Sequence, residues 1–570
     1  MKIFRNFICI QFFIGIIFLF SACSLVGVNI YHSTPKRPFK YPGFTIKDTL
    51  RGQLNSFRSC YDVYYYNLNV DFNFHKKEIS GFVDIYFNTL NSFDTLQIDL
   101  YDNLSLDSIL FENRKLNFYR RYNAVFVLMD RKINFPEKEK ITVFYHGKPK
   151  VAKRPPWEGG FVWGKDKNRK PWIAVACEVD GASLWWPVKD HLSDEPDSMS
   201  MSFTIPAGLS CISNGHMIDS ISKNGITTFR WKVTYPINSY DATFYIGDFR
   251  HFSIPYKGED TAFDLDFYSL PYHLDTARSQ FKQSVDVLKF YENTYGPYPW
   301  PRDGYKLIES PYEGMEHQTA IAYGNGFKNM FGFIDYIILH ESAHEWWGNS
   351  VTVPDYAEVW IHEGFASYSE ALYLESRIGH DTYLNYINFF SILIRNKRPV
   401  IGPHDVNYWD YKDVDVYMKG ALTLHTLRNT ISNDSMFFDI LRTFYNRHKY
   451  KFAVTHDFID LVNEKTGKDY TSFFTQYLYD RTCPVLQWEY NYEPKTGNGE
   501  LFYRWSNIST DFTIPIIVNT DLKSIIIYPA RKVQKIEFKN NNFQLNTEKS
   551  YIAMRRTGKL KKIMIAESGN

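Results

Sequence analysis

The segment His340-Glu341-Ser342-Ala343-His344 sets two imidazoles four residues apart, with a carboxylate between them. On an uninterrupted helix, positions i and i+4 share a face, so both rings can reach one cation at about 2.0–2.1 Å. Glu341 is turned by about 100° from His340. That suits it to act on a water in an open coordination position rather than to serve as a ligand. Glu363, with eighteen residues between it and His344, supplies the third donor that an open site needs. Two histidines, one glutamate and an open position make a catalytic zinc set rather than a closed structural one. Such an ion lowers the pKa of water from about 15.7 towards about 7, and a carboxylate beside it can take the proton and return it. These residues predict one Zn2+ per chain on His340, His344 and Glu363, with Glu341 as general base.

The donors meet only if two elements converge. The apolar run 333–339 leads into His340, so a helix is expected over 332–349. Another is expected over 356–378, carrying Trp360-Ile361-His362-Glu363-Gly364-Phe365-Ala366. A turn at Val353-Pro354-Asp355 would fold the second back on the first. Helical periodicity recurs at 275–295, 416–430, 434–449 and 456–465, and strands are expected at 305–309 and 319–323. From residue 61 to about 252 the chain instead alternates in short stretches, such as 64–72, 79–87 and 141–145. Asn, Asp, Gly and Pro separate them, as in an all-β domain. Alternation returns at 486–492, 501–505, 513–518 and 525–528 and reads as a small β-sandwich. The fold class is therefore multidomain α+β. The expected boundaries are a signal peptide at 1–22, a tether at 23–45, an N-terminal β-domain at 46–252, a catalytic domain at 253–482 and a C-terminal β-sandwich at 483–570.

His340-Glu341-x-x-His344, Glu363 and the following Gly364-Phe365-Ala366, together with Trp346-Trp347-Gly348-Asn349, resemble the gluzincin aminopeptidases of the aminopeptidase N and leukotriene-hydrolase type. His362 and Ile361 stand where that family usually has Asn and Leu. The resemblance covers about 60 to 550. It implies a saddle-like N-terminal β-domain, a thermolysin-like catalytic domain and a following β-sandwich. Many relatives add a large helical domain that this chain ends too early to contain, so a more open site is expected. Glu313-Gly314-Met315-Glu316-His317-Gln318 is similar to the family's Gly-x-Met-Glu-Asn exopeptidase motif, with Glu313 and His317 as departures. The resemblance makes Gly314, Met315 and Glu316 substrate-binding residues, with Glu316 gripping the α-amine while an adjacent edge strand aligns the peptide. Glu178, in Ala176-Cys177-Glu178-Val179-Asp180, stands where the family brings a second acidic or amide side chain to the same amine. Trp185-Trp186-Pro187 and Asp194-Glu195-Pro196 resemble the signatures that follow it. Tyr417 in Tyr417-Met418-Lys419-Gly420 matches a Tyr-x-Lys-Gly element and is expected to donate to the oxyanion; Lys419 is read as structural. The expected reaction is hydrolysis of the first peptide bond of peptides with a free N-terminus. A thermolysin-type endopeptidase would share the ligands, and a non-catalytic binding scaffold would keep the fold. Glu316 speaks against the first, and the intact ligands, base and Tyr417 against the second.

At 570 residues the chain needs more than one core. A net charge of +2 leaves no nucleic-acid footprint. With 42 tyrosines, no single tyrosine means much without a motif around it. Lys2 and Arg5 precede an apolar run at 7–20 and then Phe20-Ser21-Ala22-Cys23. The run is too short to span a bilayer but suits a signal peptide. Small residues before Cys23 resemble a lipoprotein processing site, so export to a bacterial cell envelope with a lipid on Cys23 is expected. Cys60, Cys177, Cys211 and Cys483 could pair in three ways or remain buried thiols. His404, His425 and His456 lack ligand spacing. Trp157, Trp163, Trp172, Trp185 and Trp186 either line the substrate entrance or pack.

Overall fold

Strand Tyr61–Asn73 buries every second residue along most of its length, the pattern of a sheet with one face on a core. A computed structural model describes residues 39–568 apart from 411, 509–510 and 540–541. Cys23, the signal segment and most of the tether lie outside these residues. Tyr61–Asn73 lies inside an eight-stranded sheet, antiparallel to Glu78–Thr89 and parallel to Ser198–Pro206. Leu68, Val83, Ile85 and Val143 are fully buried beneath it. A four-stranded sheet contains Gly160–Lys165, Pro171–Ala176, Phe244–Gly247 and Ser210–Ser213. Pro171–Ala176 ends just before Cys177 and Glu178, which fixes where that carboxylate emerges. Trp185 and Trp186 are completely buried, so they pack; Trp172 donates from Nε1 to the Glu309 carbonyl at 3.2 Å.

The next sheet has five strands, in the order Arg250–Lys257, Ala262–Ser269, Tyr305–Glu309, Ile321–Tyr323 and Gly314–Met315. Its first strand starts at Arg250, three residues before the expected boundary at 253. The expected strand at 319–323 shortens to Ile321–Tyr323, because Thr319 takes a left-handed φ of 58°. It is also internal, not the edge: Gly314–Met315 pairs antiparallel to its outer side and closes the sheet.

The helix expected over 332–349 is shorter, Tyr336–Ala343. Ile334 N donates to Met330 O at 3.0 Å and closes a turn, so the helix starts only after Asp335. The Asp335 carboxylate caps it by accepting from the N–H groups of Ile337 and Ile338 at 3.0 and 3.3 Å. His344 is still right-handed, with φ −64° and ψ −21°, so the two imidazoles remain one turn apart. Asp355 caps the turn into the second helix, Trp360–Ile378, by accepting from Ala357 N at 2.8 Å. The 275–295 segment is two helices, Leu274–Gln280 and Gln283–Tyr295. Helices Ile46–Gly52, His380–Leu393 and Leu560–Ser568 were not anticipated. After residue 483 come two sheets, one of four strands and one of three. Cys60, Cys177, Cys211 and Cys483 are buried and unpaired. No described helix is long and apolar enough to cross a membrane.

Candidate active site

Two glycines bring the site's helices together. Trp360–Ile378 crosses Asp415–Ile431 where Gly364 meets Gly420. A methyl group built on Gly420 would lie 2.9 Å from the Gly364 Cα. Glu363 adjoins one glycine and Tyr417 lies one turn before the other, so this backbone contact sets the carboxylate beside the phenol. The Tyr417 ring stacks on His340 at 6.3 Å between centroids, and its hydroxyl pairs with Glu363. Burial, reinforced by the Glu363 charge, raises the phenol well above its ordinary pKa, so it stays a proton donor.

His340, His344 and Glu363 converge. His340 Nε2 and His344 Nε2 are 3.2 Å apart, and each is 3.5 Å from Glu363 Oε2. A tetrahedral ion at about 2.0–2.1 Å from its donors requires them about 3.3–3.4 Å apart, so the triangle fits zinc. The far side of each ring is committed. His344 Nδ1 donates to the Trp347 carbonyl at 2.8 Å, and His340 Nδ1 donates to Glu370 Oε1 at 2.6 Å. Both Nε2 lone pairs therefore face inward, and Glu363 Oε2 is buried with no hydrogen-bond partner. Three mutually facing acceptors in a buried space call for a cation. The charge balance agrees: burial opposes a charge on His340, yet Glu363, Glu370 and Glu341 together push its pKa well up. Burial would raise Glu363, but the two imidazoles hold it down to about 2.

Glu341 is buried and pushed up to about 8, burial outweighing the two neighbouring histidines. Its carboxylate lies against the backbone of Gly314, where a methyl group would come within 2.3 Å of Oε1. Glu316, Glu341 and His344 present atoms all within 4.8 Å of one another. Tyr240 donates to Glu316 Oε1 at 3.3 Å, and Asn349 Nδ2 donates to its carbonyl at 2.7 Å. Glu178 follows the strand Pro171–Ala176 of the four-stranded sheet. Its Oε1 is buried without a partner, and burial together with Glu316 and Glu363 pushes its pKa well up. Glu178, Glu316 and Glu341 thus form a buried acidic cluster beside the donor triangle. Met315 is buried in the edge strand, paired with Ala322. Lys419 points elsewhere, donating to the Asp480 carbonyl at 3.0 Å.

The departures from the family pattern are structural. His362 Nε2 accepts from Val353 N at 3.0 Å and so holds the turn that folds the second helix back; burial drives its pKa down to about 3. His317 Nδ1 pairs with the Tyr245 hydroxyl at 2.7 Å. His425 bridges Tyr383 and the Glu548 carbonyl. Glu370 was missed, although it lies two helical turns after Glu363 on the same face, a spacing visible in the chain. It is also held by the Tyr386 hydroxyl. Gly364 and Gly420 carried no sign of their mutual contact.

Residues 279–477 match the peptidase family M1 domain. Aminopeptidase N of Lactococcus lactis subsp. lactis is 23% identical over 462 residues, which are 74% of this chain and 52% of that protein. Endoplasmic reticulum aminopeptidase 1 of Rattus norvegicus is 26% identical over 319 residues, 51% of this chain and 33% of that one. The chain thus spans about half or less of the length of these relatives. Among solved structures, a mutant M1 zinc metallopeptidase from Deinococcus radiodurans bound to a Tyr-Ser-Ala substrate aligns with a TM-score of 0.60 at 21% identity. The alignment covers 73% of this chain and 93% of that one, and it establishes a shared fold.

Proposed function

We propose that the chain, whose residues 279–477 match the peptidase family M1 domain, is a zinc-dependent aminopeptidase of that gluzincin family. The observation that carries the reading is the buried acidic pair Glu178 and Glu316 beside the His340–His344–Glu363 triangle, an acidic stop for one ammonium group next to a seat for one divalent ion. Held there, a substrate's α-amine puts its first peptide bond, rather than a later one, at the triangle. The edge strand Gly314–Met315 offers backbone groups to an extended peptide. When bound, zinc supplies Lewis-acid chemistry, polarising a carbonyl and acidifying a water. Glu341 takes the proton of the attacking water and passes it to the leaving amine. Tyr417 donates its hydroxyl proton in a hydrogen bond to the oxyanion as the carbonyl carbon becomes tetrahedral. Glu370 and the Trp347 carbonyl hold the two imidazoles in the tautomer that faces the ion.

The test is zinc analysis together with a panel of aminoacyl amides and peptides, each with a free and an acetylated amine. About one zinc per chain and hydrolysis of the free-amine members alone are expected. Equal cleavage of the acetylated members would instead identify an endopeptidase.

The same proposal extends to location. Lys2, Arg5, the apolar run at 7–20 and Cys23 support export and a lipid anchor in the bacterial envelope. Cys23→Ala should release the protein from membranes; unchanged fractionation of that variant would count against the anchor.

A further inference from the structure

Three consecutive carbonyls at Glu178, Val179 and Asp180 are each held by a different part of the chain. The Tyr356 hydroxyl, from the catalytic domain, donates to the Glu178 carbonyl. The Tyr101 hydroxyl, from the N-terminal domain, donates to the Asp180 carbonyl at 2.9 Å. The middle carbonyl, of Val179, accepts from the Arg51 guanidinium. Arg51 sits in the last turn of Ile46–Gly52, a short helix with a Thr45/Asp48 capping box that follows the expected tether.

This segment is built in at both ends. Arg58 Nη1 donates to the Arg51 and Gln53 carbonyls at 2.7 and 3.1 Å and, through Nη2, ties them to Asp99 Oδ2 at 2.5 Å. His191 Nε2 donates to the Gly52 carbonyl at 3.1 Å. On the other flank the segment grips the catalytic domain. A methyl group on Gly52 would lie 2.4 Å from Val406 N. Tyr41 and Phe44 pack edge-on against Tyr408, at 5.9 and 5.6 Å between centroids. The next residue, Trp409, stands 6.0 Å from Tyr417 and 6.4 Å from Tyr356. The segment therefore touches the turn bearing the Glu178 carboxylate and the loop bearing the aromatic wall next to Tyr417.

We propose that residues 41–58 form a strap that completes the amine subsite, with Arg51 as the positioning residue that aims Glu178. The inference deepens the aminopeptidase reading and rests on it. Arg51 touches no reacting atom. It acts by fixing the backbone at Val179, the residue next to the Glu178 carboxylate. Removing it should loosen ammonium binding and leave the zinc, Glu341 and Tyr417 in place.

The full-length protein with Arg51→Met, Arg51→Lys and Tyr101→Phe tests this on free-amine aminoacyl amides. Arg51→Met should raise KM about tenfold, the loss of one charge-assisted hydrogen bond, with kcat within about twofold and one zinc per chain. Arg51→Lys should recover part of the loss, since it keeps the charge without the planar fork. Tyr101→Phe, which removes the neighbouring tie, should raise KM by less. An unchanged KM in Arg51→Met overturns the strap. So does a fall in kcat that tracks lost zinc, the sign of general unfolding. Should Arg51→Met fail to fold, an unchanged KM in both Arg51→Lys and Tyr101→Phe overturns it equally. Wild-type protein that ignores free amines sinks the aminopeptidase reading itself, a failure distinct from an active wild type paired with an unaffected Arg51→Met.

Discussion

Replacing Gly314 by alanine should silence the enzyme without unfolding it or releasing zinc. The new methyl group would sit 2.3 Å from Glu341 Oε1 and 3.0 Å from Ile337 Cδ1. The oxygen is roughly 1 Å inside contact distance. The atom that must yield is the end of a flexible side chain rather than backbone, so the stability cost is small. The catalytic cost is not, because a displacement of about 1 Å in a reacting group costs about 10² in rate, or about 2.7 kcal/mol of barrier. None of the atoms nearest the added methyl group belongs to His340, His344 or Glu363. The assay is kcat and KM on a free-amine aminoacyl amide, with zinc content and thermal midpoint measured on the same sample. We expect kcat down about a hundredfold, KM little changed and one zinc per chain. A kcat within threefold of wild type at full zinc occupancy would refute the reasoning, since the Glu341 carboxylate could not then rest on residue 314 during turnover. Loss of zinc in step with loss of activity would refute it as well.

Further outcomes follow from the same geometry. Glu341→Gln should keep its zinc and lose about 10²–10⁴ in kcat; retained activity with metal bound would remove Glu341 as the base. Glu370→Ala takes away the acceptor at His340 Nδ1 and should weaken zinc binding about 10–100-fold in a chelator competition, whereas unaltered affinity would mean the imidazole needs no such partner. Acid should destabilise the fold through its buried histidines. Burial holds His191 at about 3 and His425 at about 4, while an unfolded histidine titrates near 6.5. The unfolded chain therefore binds protons that the folded one refuses. Each residue's stabilising contribution is full above about pH 6.5 and is lost as the pH falls towards 3–4, at about 1.4 kcal/mol per pH unit. Thermal midpoints at pH 7.5 and 5.0 should differ less in His425→Gln than in wild type, and an identical pH dependence would discard the argument.

Desolvation pushes Glu178, Glu316 and Glu341 towards their neutral forms. In the proposed reaction a metal ion and a substrate ammonium would each favour their ionised forms.

The sequence by itself determined that His340 and His344 share one helix face with Glu341 between them, because a four-residue spacing on a helix is a local geometric fact independent of the rest of the fold. It also marked Tyr417 and Glu316, through motifs that surround them. Tertiary structure decided the rest, because no periodicity encodes the closest approach of segments far apart in the chain. The contact between Gly364 and Gly420, the close approach of the Glu341 carboxylate to Gly314 and the grip of Arg51 on Val179 each join segments with no local signature. The same reason explains the shortened metal-binding helix: its apolar run continues to residue 333, but a turn closed at Met330 and an aspartate cap begin the helix later than hydrophobicity alone suggests. The edge of the five-stranded sheet was misplaced likewise, since strand order depends on pairing between segments and not on the pattern within either.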